Sequence, residues 1–406
     1  MYKPLIMEYF ENTAVPIQLR ELCEDSQENL VYTALTGKTP FRNMKIRFDS
    51  EMKSFFREYC SNIWDNFENR ESKWVGEAAK ADIIGILKTD KGNVLLDFVP
   101  VDYESFRETV NDPPEWLKAE LATKVHIYDC VKAVAFIVCR NTQKTVTLEF
   151  HGEFEDTAIS VENKAKELAK GIAGDKVKKN FYIDVESIYH TDGALYGYDL
   201  SEYLEKMNEK GEDAHRRDTK IHPSELTYSR CDKRQVYRLL GYEGVQKISP
   251  HLRKIFDYGH SIHNAVQEGL IAHNKIEIES KVRHDNLNMI GSCDGVLNRT
   301  VLELKSKGHK GFEKLTKPSK EHREQATIYA AGTNSTHISI VYVDKNTAEI
   351  KEFIEAFDYS LWDDIQKRVK NILYHVSTKT FPDGIDKKYK CKECPYVETC
   401  HPEFLS

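Results

Sequence analysis

Residues 289–305 read MIGSCDGVLNRTVLELK. Two apolar strands are predicted here, Asn288–Leu297 and Thr300–Lys305, with Asn298-Arg299 at the turn between them. Side chains alternate along a strand, so Glu303 and Lys305 share one face while Leu304 turns to the core. Hairpin pairing brings Asp294 beside Glu303. Two carboxylates and an ammonium then converge. Such a cluster repels itself unless a divalent cation fills it, and hard oxygen ligands suit Mg²⁺ or Mn²⁺. A lysine beside such an ion can orient a water or help deprotonate it.

The flanking sequence supplies the rest of an α/β unit. Helices are predicted over 232–240, 252–270, 320–332 and 360–375, and strands over 276–284, 337–344 and 349–353, from apolar spacings of 3–4 or 2. The same order of pieces occurs earlier in the chain. KADIIGILKTDKGNVLLDFVP (80–100) and KVHIYDCVKAVAFIVCRNTQKTVTLEF (124–150) parallel residues 289–307 and 324–353. Asp82 aligns with Asp294, Asp97 with Glu303, Tyr128 with Tyr329 and Phe150 with Phe353. PIQLRELC, ending at Cys23, matches PSELTYSRC, ending at Cys231. RFDSEMKSFF (47–56) matches IFDYGHSIHN (255–264), which sets Phe55 against His263. This is the pattern of a tandem duplication. The first copy has Asp97-Phe98-Val99 where the second has Glu303-Leu304-Lys305, and Lys124 where the second has Gln325. It keeps two acids and loses the lysine, so one hydrolytic site per chain is expected.

The chain has 406 residues, enough for two or three domains, and reads as an ordinary soluble protein, 40% hydrophobic and 30% charged. No apolar run approaches the roughly 18 residues that would span a membrane. The N-terminus lacks a signal peptide's apolar core, so a cytoplasmic location is expected. The net charge of −7 means that any contact with a polyanion comes from a local patch. One such patch is 305–323, with seven Lys or Arg against two Glu. Gly308, Gly311 and Pro318 suggest a mobile loop there. Nine cysteines, an odd number, argue against a disulfide framework. Cys391, Cys394 and Cys400 have the C-x₂-C-x₅-C spacing of a metal knuckle, and three thiolates need a fourth. Cys60, Cys130, Cys139 and Cys293 lie in apolar or helical patterns and read as buried thiols. Cys23 reads as a relic or core residue.

Asp294-Gly295 with Glu303-Leu304-Lys305 resembles the core motif of PD-(D/E)xK nucleases. Gly259 to His263 is similar to the G-x-x-x-H helix motif of the RecB-like branch, which includes the CRISPR-adaptation nucleases. His322, Gln325 and Tyr329 are similar to its Q-x-x-x-Y helix motif, with Gln325 and Tyr329 on one helix face. The resemblance implies an α/β fold of two tandem restriction-endonuclease-like modules, each a mixed central sheet flanked by helices, the N-terminal one degenerate. Expected boundaries are 1–200, a charged linker at 201–222, and 223–406. The resemblance implies His263, Asp294, Glu303 and the Leu304 carbonyl as ligands of Mg²⁺ or Mn²⁺, Lys305 as the catalytic lysine, and Gln325 and Tyr329 as active-site support. One cysteine upstream and three at the C-terminus is the arrangement of this family's iron–sulfur members. It implies a [4Fe–4S] cluster on Cys231, Cys391, Cys394 and Cys400, with a Cys₄ zinc site as the rival.

The expected function is a metal-dependent DNA nuclease, acting on single strands or ends, in recombination, repair, replication or phage- or CRISPR-related processing. The expected partner is DNA, with no membrane. The N-terminal half is expected to bind substrate, a protein partner or a second copy. The alternatives are a non-catalytic DNA-binding scaffold, and an RNA-directed or effector-triggered nuclease whose N-terminal half is a sensor. No glycine-rich phosphate loop supports the last.

Overall fold

The computed structural model describes residues 1–13, 15–24, 29–30, 39–174, 187–199, 219–229, 231–244, 250–272, 276–385, 388–392 and 394–402, with single residues between them. The first half carries helices α1 (Tyr2–Asn12), α2 (Leu19–Glu24), α3 (Pro40–Ile63), α4 (Tyr103–Asn111), α5 (Glu115–Ile127) and α6 (Glu155–Gly174). Its strands are β1 (Ile17–Gln18), β2 (Phe67–Glu68), β3 (Lys73–Val75), β4 (Ala79–Ala81), β5 (Gly85–Thr89), β6 (Gly92–Val101), β7 (Lys132–Cys139), β8 (Thr145–Gly152) and β9 (Ile188–Asp192). The second half carries α7 (Pro223–Ser229), α8 (Asp232–Leu239), α9 (Pro250–Ile271), α10 (His309–Glu313), α11 (Lys320–Gly332) and α12 (Tyr359–Thr378). Its strands are β10 (Glu277–His284), β11 (Met289–Leu297), β12 (Thr300–Lys307), β13 (His337–Asp344) and β14 (Ile350–Ala356).

The two large sheets have the same design. Their orders are β2-β5-β6-β7-β8-β9 and β10-β11-β12-β13-β14. Only β6–β7 in the first and β12–β13 in the second pair in parallel; the other neighbours are antiparallel. Each parallel pair is joined by a helical crossover, as such pairs require. Strands β7 and β13, covered on both faces, are near-continuous apolar runs. Details repeat as well. The hairpins after Asn141-Thr142 and Asn346-Thr347 each close on a left-handed residue, Gln143 (φ 58) and Ala348 (φ 61). Helices α5 and α11 each run out into one, Asp129 (φ 55) and Asn334 (φ 54). In both, the next N–H returns to a carbonyl five residues back, Cys130 to Val125 and Ser335 to Ala330. The chain is two tandem α/β modules of one topology. A small sheet, β1-β4-β3, adds to the first.

The modules meet through equivalent helices. Helices α3 and α9 pack together, and one apolar cluster runs from Met44, Phe48, Met52 and Phe56 to Tyr258, Ile262 and Val266. Helix α1 is sequence-proximal to the first module but sits on the second sheet. The Tyr2 hydroxyl donates to the Thr300 carbonyl at 2.7 Å, and Glu352 accepts from the terminal ammonium and from the Tyr2 amide, both at 2.8 Å. Of the expected linker, 201–218 lies outside the described residues. Ile221 already belongs to the second sheet, donating to Asn288 at 2.8 Å and accepting from Ile290 at 3.0 Å.

At the α3–α9 contact the Tyr59 hydroxyl donates to Asp257. Burial, and then Glu58, pushes the Asp257 carboxyl up to about 6. A carboxyl with a raised folded pKa adds stability below its unfolded value of about 3.9, and that contribution is lost as pH rises through about 6. Asp257→Asn should therefore gain stability relative to wild type on going from acid to neutral pH, measured as the difference in urea midpoints. A difference that does not change with pH would contradict this.

Candidate active site

The predicted turn forms as expected. Asn298 (φ 48) and Arg299 (φ 58) are both left-handed, as a two-residue type I′ hairpin requires. The β11–β12 ladder is short. It covers Gly295–Leu297 against Leu302–Thr300, while β12 stays paired to β13 out to Lys307. The strands therefore part just beyond Gly295, and Asp294 is the first residue in the resulting notch. Its Oδ2 accepts from the Leu304 N–H at 2.6 Å, an amide that the parting leaves without a strand partner on that side. The Leu304 carbonyl leaves the strand on the same edge.

The two faces of the sheet meet at this notch. On one, Ile262 and Val266 of α9 pack with Leu302 and Leu304, which brings His263 Nδ1 to 3.5 Å from Asp294 Oδ1. On the other, Glu303 is 1% exposed and its Oε1 lies 2.5 Å from Lys305 Nζ. The shared face of Glu303 and Lys305, read from strand alternation, is thus observed. Apart from this ion pair, Glu303 Oε1 has no hydrogen-bond partner among the described residues. Burial raises the Glu303 pKa, with Asp294 adding to the rise and Lys305 opposing it. For Asp294 burial also works upward, but His263, Lys305 and the Leu304 amide outweigh it and lower the pKa.

Helix α11 starts on an N-cap, with Ser319 Oγ accepting from the His322 amide. It buries Gln325 and Tyr329 beneath the notch, bonded to each other at 3.1 Å. Burial and then the Glu303 charge raise the Tyr329 phenol. His322 Nδ1 lies 2.8 Å from the Tyr342 hydroxyl. Burial, then Lys305 and Lys307, pushes His322 down to about 4, so it is neutral at pH 7. The basic run is not the loose loop that its glycines suggest. It contains α10, and Lys351 Nζ gathers the carbonyls of Phe312, Glu313 and Leu315 at 2.7, 3.1 and 3.3 Å. The first module braces it too, through Asn141 to the His309 amide at 3.4 Å.

Two residues at the site were not legible in the sequence. Gln267, one turn after His263, donates to the Asp294 carbonyl at 3.3 Å and to Glu279 at 2.8 Å. Glu279 sits at φ 49 where the β10–β11 register skips a pair. The register is the same on either side of that pair, so no residue is inserted, and the left-handed backbone at Glu279 turns its carboxylate toward Ser292, 3.3 Å away. A single left-handed residue inside a strand leaves no mark in a period-2 pattern, so only Gln267's helical spacing from His263 offered a signal.

Cys231, Cys391, Cys394 and Cys400 all line one small cavity, with Tyr237, Tyr396 and His401. The turns that hold the last three are Cys394 N–H to Cys391 and Cys400 N–H to Tyr396, at 3.0 and 2.8 Å. Tyr237 stacks on Tyr396 with centroids 5.5 Å apart. Burial raises the Cys394 thiol, and Cys231 and Cys391 add to the rise. Cys60, Cys139 and Cys293 are buried, while Cys23 and Cys130 are half-buried. Among the described residues, no group of three or more His, Cys, Asp or Glu side chains is placed to hold a metal ion as it stands.

In the first module Gly85 faces Leu96 as Gly295 faces Leu302, so Asp97 holds the place of Glu303. Met52 and Phe56 pack with Leu96 and Phe98, just as Ile262 and Val266 pack with Leu302 and Leu304. Arg57 donates to the Ile83 and Ile84 carbonyls at 2.9 and 3.0 Å, the role of Gln267. The residue in the place of His263 is therefore Lys53, not Phe55, which packs into the shared core. Lys53 Nζ lies 3.3 Å from Asp97 and 3.5 Å from Asp82.

No family model matches the chain. No curated protein matches it. Among solved structures, SSO0001 is similar over 50% of this chain and 96% of its own, at 17% identity and a TM-score of 0.34. An alkaline exonuclease (LHK-Exo) from Laribacter hongkongensis is similar over 40% of this chain and 90% of its own, at 16% identity and a TM-score of 0.33. Its complex with dAMP matches over 47% and 97%, at 14% identity and 0.32. Similarities this low assign neither family nor activity. No helix among the described residues is long and apolar enough to cross a membrane.

Proposed function

We propose that the chain is a metal-dependent DNA nuclease whose single active site is the notch between β11 and β12. The observation that carries this is the convergence at the notch of two carboxylates, an imidazole and an ammonium, with His263 3.5 Å from Asp294 and Lys305 2.5 Å from Glu303. Burying two carboxylates together is costly, and a hard divalent cation would offset that cost. The donor set fits Mg²⁺ or Mn²⁺, held by Asp294, Glu303, His263 and the Leu304 carbonyl. Such an ion supplies Lewis acidity toward a phosphoryl oxygen and lowers the pKa of a bound water.

The chain's own groups do the rest. Lys305, anchored on Glu303, presents a charge to the scissile phosphate and orients the attacking water. Tyr329 and Gln325 fix the floor. Lys307, Lys310, Lys314 and Lys317 take the phosphate backbone in a sequence-independent way, and the pinning of α10 holds these cations in place. Labelled single-stranded and end-bearing duplex DNA should be cut with Mn²⁺ and spared with EDTA. Preference for RNA over both DNAs would refute the substrate assignment.

The cysteine cavity fits a second group, since four thiol side chains face one space. A [4Fe–4S] cluster on Cys231, Cys391, Cys394 and Cys400 would tie the start of the second module to its end. Anaerobically purified protein should be brown and contain iron and sulfide, and a chelator that strips the iron should lower its unfolding midpoint. A colourless protein containing zinc would contradict the cluster.

A further inference from the structure

A cleft of about 1020 Å³ lies over the first module. At its floor the chain fills the cation seat with its own side chains. Besides Lys53, Lys124 Nζ lies 2.6 Å from both Asp97 and Glu120, and Arg57 lies 3.6 Å from Asp82. Three carboxylates face three cations, so the floor is neutral with no metal. The walls are cationic. Ten Lys or Arg line the cleft against seven Asp or Glu, in a chain of net charge −7.

Most of the wall arginines are committed. Arg42 is paired with Glu21 and Arg140 with Asp49. Lys45 and Lys80 line the same cleft, half-buried, and make no ion pair among the described residues. Lys45 is also held where Arg140, and then burial, lowers its pKa. Asp102 and Asp49 oppose this, but the net shift is downward, so an anion at this wall would favour the Lys45 ammonium.

We propose that this cleft binds the phosphodiester backbone of a nucleic-acid strand without a divalent cation, through Lys45 and Lys80. The proposal extends the nuclease reading and rests on it for the choice of a nucleic acid as ligand. The module that has lost hydrolysis thereby keeps a role, holding a strand with ammonium groups while the second module works with a metal.

The test is fluorescence anisotropy of the full chain with a short fluorescein-labelled single-stranded oligonucleotide in EDTA, over a range of salt. Each lost phosphate contact on a single strand removes about 0.7 from the slope of log K against log salt. Lys45→Ala/Lys80→Ala should therefore flatten the slope by about 1.4. Lys45→Arg/Lys80→Arg should keep it, which separates lost charge from lost fold. An unchanged slope in the alanine variant would overturn the proposal. So would displacement of the oligonucleotide by thymidine monophosphate at equal phosphate concentration, since a backbone site needs linked phosphates. Failure of the nuclease reading has a different signature: no cleavage by wild type in Mn²⁺, with the slope change intact.

Discussion

Lys305→Met should cut DNA about 10²–10⁴-fold more slowly than wild type, the range lost with one positioned proton-transfer or charge-bearing group. The effect should fall on the chemical step. Lys305 Nζ lies 2.5 Å from Glu303, on the face of β12 that opens at the notch. Methionine keeps the unbranched stem and so the packing. The fold should survive, because burial already raises the Glu303 carboxyl, which can take a proton when the ammonium is gone. Single-turnover cleavage with a parallel thermal melt measures both. A rate within a few-fold of wild type would remove Lys305 from the reaction. A collapsed melt would mean instead that its charge holds the strand pair together.

The second large effect is on stability, in the first module. Lys124 is 2% exposed, and its partners Asp97 and Glu120 are 0% and 6% exposed. Both carboxylates raise its pKa strongly against burial. Lys124→Met leaves them with Lys53 as the remaining ammonium nearby. Breaking a buried ion pair from one side costs about 3–5 kcal/mol, to be read from urea unfolding. A loss below about 1 kcal/mol would put the triad on the scale of an exposed pair. The neutral floor would then not be an internally satisfied cluster.

Much of the second module was legible because its elements are long and periodic. The hairpin, its Asn298-Arg299 turn, α9, α11 and β13 fall where alternation and 3–4 spacing put them. Asp294, Glu303 and Lys305 converge for the same reason, since pairing and pleat suffice to derive it. The duplication was legible from the order of elements, and the sheet order bears it out.

What failed to be legible depends on tertiary packing. The shared Phe-Asp dipeptides at Phe48 and Phe256 fix the alignment that sets Phe55 against His263. The packing of Met52 and Phe56 fixes another, two residues away, that sets Lys53 there. Apolar spacing tolerates either register, so only the sheet beneath decides. In the same way Asp82 and Asp294 stand at different distances from their equivalent glycines, Gly85 and Gly295, yet both serve the same corner. Helix α1 reaches the second sheet through contacts some 300 residues away, as with Tyr2 and Thr300, and no local pattern encodes that. The basic run forms α10 and is bonded by Lys351 on another strand, contacts that its own residues do not encode.

The central claim is that one notch, in the second module, hydrolyses DNA with a divalent cation. The most direct measurement is cleavage of end-labelled DNA by wild type and Asp294→Asn, each with Mn²⁺ and with EDTA. Wild type should cut only with Mn²⁺, and Asp294→Asn should not cut under either condition. Equal cutting by the two proteins, or cutting by wild type in EDTA, would contradict the account.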